Sequence, residues 1–139
     1  MAKVRIKKCS LKDVDRLAEL NQQLIEDEKS DNTMSPEELK SRMSMFLQTD
    51  YSAYFFLEDH EVVGYALVNE HSRPVYLRQF LIGRAYRRNH FGRKAVELLI
   101  EELAVSEIDT EVLSWNETGL KFWESCGFAE RSRSLRLSV

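Results

Sequence analysis

A chain of 139 residues, 43% hydrophobic and 31% charged, has the size of one ordinary domain and can bury a core of its own. No stretch reaches the roughly 20 apolar residues that a membrane helix needs, and the basic start MAKVRIKKC lacks the apolar region of a signal peptide. The formal charge of −3 is divided, Lys and Arg counting 9 against 14 acids in residues 1–70 and 11 against 9 in residues 71–139. A net acidic chain is a poor match for duplex nucleic acid, whose binding rests on many phosphate contacts. No nucleic acid or membrane is therefore expected as a partner.

The elements follow in order. VRIKKC (4–9) alternates as a first strand, and Ser10 caps a helix to about Lys29 with Leu11, Val14, Leu17, Ala18, Leu20, Leu24 and Ile25 as its apolar stripe. Ser35-Pro36-Glu37-Glu38 has the cap, the first-turn proline and the reaching Glu of a capping box, which predicts a second helix to about Leu47. YSAYFFLEDHEVVGYALVNE reads as a hairpin turning at Glu58–Glu61, and PVYLRQFLI (74–82) as another strand. A helix from about Phe91 to Ala104 follows, then a strand TEVLSW (110–115), a short helix ETGLKFWESC and a final alternating strand FAERSRSLRLSV. The order β-αα-βββ-α-β-α-β predicts one α/β domain, residues 1–139, with a mixed central sheet flanked by helices.

The junction AYRRNHFGRKAVELL (85–99) crowds Arg87, Arg88, Arg93 and Lys94 around His90 and Gly92 at a predicted helix start. Such a start offers about four unpaired N–H groups and roughly half a positive charge, hence an anion site. Gly92 would let phosphate oxygens approach the backbone, and the arginines add charge-assisted hydrogen bonds. The other reading is a solvated basic face on an ordinary turn. Neither GxxxxGK[ST] nor GxGxxG occurs.

The strand FLI followed by RAYRRNHFGRKAVELLI resembles the acetyl-CoA signature of the GNAT N-acetyltransferases, Arg/Gln-x-x-Gly-x-Gly/Ala after a strand, with Arg87 first and Gly92 last. Asn116, Phe122, Gly127 and Phe128 in SWNETGLKFWESCGF resemble the second signature of that family, an Asn and a helix ending in Gly-Phe. Within the family, LNQQLIEDE and VYLRQFLI are similar to a group of bacterial members.

The resemblance implies the GNAT (acyl-CoA N-acyltransferase) fold and acetyl-CoA as co-substrate. It also implies a cradle for the pyrophosphate from Arg87, Arg88, Asn89, His90, Phe91, Gly92 and Arg93. The backbone of Phe80, Leu81 and Ile82 would pair with the pantetheine arm, and Asn116 would contact the cofactor where two strands splay. Two positions depart from the pattern. His90 stands where the family usually has its first glycine. Trp123 stands, beside the cofactor, where many members have the tyrosine that protonates the departing thiolate, and indole cannot do so.

Transfer to an amine also needs a base, because a lysine-like amine of pKa ~10.4 is neutral only about once in 2,500 molecules at pH 7. Glu111, on the predicted strand five residues before Asn116, is the candidate, the alternative being a solvent-facing strand residue. Glu26-Asp27-Glu28 close the first helix against its dipole. They attract a cationic acceptor or form a solvated helix end. Tyr76 and Arg78 share a strand face from which either would reach the acceptor, and Tyr76 is a candidate catalytic group. His60, His71 and His90 have no metal-ligand spacing, so no metal is predicted. Cys9 and Cys126 read as free thiols of a reducing, cytoplasmic setting, with a disulfide as the alternative. The leading expectation is an N-acetyltransferase acting on a primary amine, with a homodimer as an open assembly. The second reading is a non-catalytic acyl-CoA sensor of the same fold.

Overall fold

The computed structural model describes residues 3–139, apart from the side chains of Arg88 and Asn89. Strand β1 (Val4–Lys8) leads through Ser10, which caps a 3-10 turn at Leu11–Asp13, into helix α1 (Val14–Glu28). Lys29, at φ 52°, ends α1 in the left-handed conformation. Helix α2 (Pro36–Gln48) begins with the predicted capping box: the Ser35 hydroxyl accepts from Glu38 N–H, and the Glu38 carboxylate accepts from Ser35 N–H. The hairpin β2 (Tyr51–Glu58) and β3 (Glu61–Asn69) turns at Asp59 and His60. Strand β4 (Val75–Ile82), a 3-10 segment at Arg84–Asn89, helix α3 (Phe91–Leu103), strand β5 (Ile108–Thr110) and helix α4 (Glu117–Ser125) complete the order.

The five strands form one sheet in the order β1-β2-β3-β4-β5, antiparallel except for the parallel β4–β5 pair. Helices cover both faces, so the middles of β2 and β3 are buried on both sides. Leu17, Leu20, Leu24 and Met43 of α1 and α2 pack on Phe55, Leu57, Tyr65, Leu67 and Leu81. Phe91, Ala95, Val96 and Leu99 of α3, with Trp123 of α4, pack on Tyr54, Phe56, Val63, Ala66 and Leu77 on the other face.

Two predicted strands differ. Of the strand predicted at 110–115 only Thr110 ladders with β4, the observed strand being Ile108–Thr110 and its pairing ending at Leu77. The final segment 128–139 carries no regular secondary structure, and every residue beyond Phe128 is exposed, Leu135 at 92% and Leu137 at 86%. An alternating pattern makes a strand only where an edge receives it, and no edge of the described chain does.

Helices α3 and α4 meet at Gly92. A methyl group there would come within 2.8 Å of the Phe122 ring, itself stacked on Phe80 and packed against Trp123. The missing side chain of Gly92 therefore serves helix packing, a use that its setting among arginines does not reveal. Gly92→Ala is expected to lower stability by roughly 1–3 kcal/mol through overpacking, and Phe122→Leu to recover part of the loss. Urea unfolding of the single and double variants checks this, and additive losses would sink the contact.

Candidate active site

Strands β4 and β5 run parallel for three residue pairs, ending at Leu77–Thr110. The Thr110 hydroxyl donates to Leu77 carbonyl oxygen at 2.9 Å on this last rung. On the other edge of β4 the register slips: Leu67 faces Gln79 while Val68 faces Leu77, which leaves Arg78 as the extra residue of a β-bulge. A bulge bends its strand and raises the local twist. Among the described residues, β4 from Arg78 to Ile82 consequently has β3 on one edge and no strand on the other. Phe80, Leu81 and Ile82 lie on this free edge. An unpaired edge presents the N–H and C=O groups with which an amide-bearing arm could pair as an added strand. Trp123 is nearly buried beneath it, 5.1 Å from Phe80 and 5.0 Å from Phe128 between ring centroids. Its role here is packing.

Beyond Ile82 the chain enters the Arg84–Asn89 segment and reaches His90 at φ 61°, a left-handed residue that joins it to α3. Glycine takes this conformation without strain, and His is among the side chains that tolerate it better than most, so an exposed His90 fills the place of a glycine. The α1 run, α2 and α4 start with side-chain caps from Ser10, Ser35 and Asn116, whereas α3 starts with none. The first N–H groups of α3, at Phe91, Gly92 and Arg93, form the uncapped end suited to an anion.

The arginines around it are engaged within the protein. Arg87 Nε donates to Ile82 carbonyl oxygen at 2.8 Å and its Nη2 to the Asp27 carboxylate. Arg84 donates to Asp27 Oδ1 at 2.7 Å and to Glu26 at 3.2 Å. Arg93 Nη2 donates to Ser125 carbonyl oxygen at 2.9 Å, tying α3 to the end of α4. The side chains predicted for Arg88 and Asn89 lie outside the described residues. Asn116 Oδ1 accepts from Gly119 N–H at 3.0 Å, and a methyl group at Gly119 would meet the Asn116 amide at 2.4 Å. Asn116 is thus held as the cap of α4 with its amide nitrogen free of that bond.

Two of the three acids at the end of α1 are engaged within the protein. Glu26 and Asp27 pair with Arg84 and Arg87, drawing the acidic end of α1 onto the segment before α3. Burial alone would raise the Asp27 pKa, but hydrogen bonds and charge from Arg87 and Arg84 outweigh it and hold the carboxyl below its usual range. Burial, with the Asp27 charge beside it, pushes the Glu28 carboxyl up. The Glu28 carbonyl oxygen accepts from Trp115 Nε1 at 3.0 Å, which links α1 to the loop after β5.

Tyr76 and Glu111 do come together, Tyr76 Oη donating to Glu111 Oε1 at 2.9 Å across the last rungs of β4–β5. Burial first, then the hydrogen bond to Glu111 and its charge, push the Tyr76 phenol to about 12, so it stays protonated and donating at neutral pH. Arg78 lies beside this pair, over the Tyr51 and Phe46 rings. Sequence reading left out Arg42, Asn21, Tyr65 and Gln79, which converge on the α1/α2 face of β4. Arg42 Nη2 donates to Asn21 Oδ1 at 2.9 Å, and Tyr65 Oη to Gln79 Oε1 at 2.7 Å. Gln79 would have been found only by placing the bulge, which puts it on that face next to Arg78.

A family model described as the acetyltransferase (GNAT) family matches residues 17–128. A possible acetyltransferase from Clostridium difficile 630 superposes with a TM-score of 0.78 at 14% identity, covering 98% of this chain and 97% of that one. A ribosomal-protein-alanine N-acetyltransferase from Brucella melitensis biovar Abortus 2308 gives 0.76 at 16% identity, covering 99% and 100%. A predicted acetyltransferase from Clostridium acetobutylicum, solved with acetyl-CoA, gives 0.74 at 14% identity, covering 98% and 96%. Identities this low speak for the fold alone.

The Asp27 contacts carry a pH signature. A carboxyl whose pKa is depressed on folding stabilises fully above its unfolded value, near 3.9, and loses that contribution as pH falls through the folded value. Asp27→Asn is expected to cost roughly 1 kcal/mol at pH 7, the upper end for such pairs. The cost should shrink as pH falls below about 4. Urea midpoints at pH 7 and pH 3 measure it, and an equal deficit at both would refute the assignment.

Proposed function

The chain belongs to the GNAT acetyltransferase family, and from that premise we propose that it transfers the acetyl group of acetyl-CoA to a primary amine by direct attack in a ternary complex. The observation that carries the proposal is the parting of β4 from β5. It opens the Phe80–Ile82 edge and sets Tyr76 and Glu111 beside it. The residues present fit acetyl-CoA: the free edge suits the amides of its pantetheine arm, and the uncapped α3 start with Arg87 suits its pyrophosphate. Asn116, with its spare amide N–H, caps α4 on the chain that leaves β5.

In the reaction, the amine nitrogen forms a bond to the thioester carbonyl carbon while the carbon–sulfur bond breaks and the thiolate leaves. Glu111 accepts the proton that the ammonium group must lose, directly or through water. Tyr76 holds the Glu111 carboxylate in place with its phenolic hydrogen. A backbone N–H of the free β4 edge serves the developing oxyanion without needing any particular side chain. A thiol of pKa about 8.5 leaves as thiolate without an acid, so Trp123 does not forbid the step.

General-base help is worth roughly 10²–10⁴ in rate. Glu111→Gln is expected to lower kcat about 100-fold, with Tyr76→Phe milder. Spectrophotometric release of CoA thiol across a panel of amines tests this. Calorimetric acetyl-CoA binding with no turnover on any amine would leave the sensor reading standing instead.

A further inference from the structure

On the α1/α2 side of the bulge, two guanidinium groups face one aromatic ring. Arg42 of α2 lies 5.5 Å and Arg78 of β4 lies 4.9 Å from the Phe46 ring centroid. Arg78 Nη1 also reaches the Tyr51 hydroxyl at 3.4 Å. Neither belongs to any ion pair among the described residues, in contrast to Arg16, Arg84, Arg87 and Arg133. Arg42 Nε is buried with no hydrogen-bond partner. Burial and the neighbouring Arg78 charge both disfavour the charged form of Arg42, the mark of a site short of negative charge. Asn21, Tyr65 and Gln79 line this place with buried polar groups.

Arginine pairs around one ring are stable as cation–π packing, but packing needs only one of them and leaves no buried donor idle. A carboxylate is the group whose two oxygens match an arginine fork and whose charge relieves the pair. Across the bulge, Tyr76 senses the Arg78 charge and holds Glu111. Cationic and basic ends therefore sit side by side. Resting on the acetyltransferase reading, we propose that the acceptor carries a carboxylate as well as its amine, as an amino acid does, with Arg42 and Arg78 binding the carboxylate while the amine meets Glu111. This replaces the wholly cationic acceptor that Glu26-Asp27-Glu28 suggested, since Glu26 and Asp27 are already neutralised.

The test uses matched acceptors: free amino acids, the corresponding amides and the corresponding decarboxylated amines. With wild-type protein and acetyl-CoA, kcat/KM is expected to favour the acids at least ten-fold, chiefly through KM. In Arg78→Met, whose exposed site tolerates the change, that preference should collapse toward one. Equal kcat/KM for acids and decarboxylated amines would overturn the proposal. If no amine is turned over, the acetyltransferase reading fails and the subsite is read by thermal shift instead. Stabilisation by the acids alone, lost in Arg78→Met, sustains it, and no stabilisation ends it.

Discussion

One extra residue in β4 organises the functional half of the molecule. A parallel ladder requires both strands to advance in step, and the bulge at Arg78 breaks that step after Leu77. Three consequences follow from the same kink. The Phe80–Ile82 edge is left without a strand partner, Arg78 is turned out toward α2, and Tyr76 stands on the last rungs opposite the chain that carries Glu111. Had the ladder continued, the free edge would be covered by residues 111–115. The buried Tyr65–Gln79 hydrogen bond, next to the bulge, fixes this register, because a slip of one residue would send Gln79 into the apolar face of α3.

Charge fixes the segment that leads from β4 into α3. The acidic end of α1 opposes its helix dipole, and Lys29 adds only one cation there. Arg84 and Arg87, about 60 positions later, supply the missing compensation and pin the segment before α3 onto α1. In the proposed function, a pyrophosphate at the α3 start competes with Asp27 for Arg87. Arg84 keeps Asp27 neutralised through that exchange, so the segment stays docked whether or not Arg87 turns to the ligand.

Legibility in the sequence follows the range of the forces involved. Local signals were enough for α2, whose capping box lies within Ser35–Glu38, and for the hairpin, whose two apolar runs flank a polar turn at Glu58–Glu61. The helix start at Phe91 was also visible, being a pattern of a few adjacent residues, whereas the capping of α4 by Asn116 appears only in the structure. What stayed hidden depends on partners distant in the chain. The free β4 edge needs the bulge, and a bulge is a two-strand property. The use of Gly92 needs Phe122, and that of Asp27 needs Arg84 and Arg87. The final segment reads as a strand because its alternation is real, but an alternating segment does not say which edge receives it.

The absence of a phenol at position 123 is reconciled with catalysis by comparing the two proton demands. At pH 7, an amine of pKa ~10.4 must give up its proton over some 3.4 units, about 4.6 kcal/mol, whereas a thiolate of pKa ~8.5 leaving unprotonated lies only about 2 kcal/mol above its thiol. The base therefore matters more than the acid. The chain retains a carboxylate, Glu111, oriented by a phenol that burial and that same carboxylate keep protonated. At the position of the lesser need it places Trp123, which packs under the free β4 edge against Phe80, Phe122 and Phe128. In the proposed reaction, the exchange costs rate in the easier half-step and gives a packed floor beneath the edge proposed for the thioester.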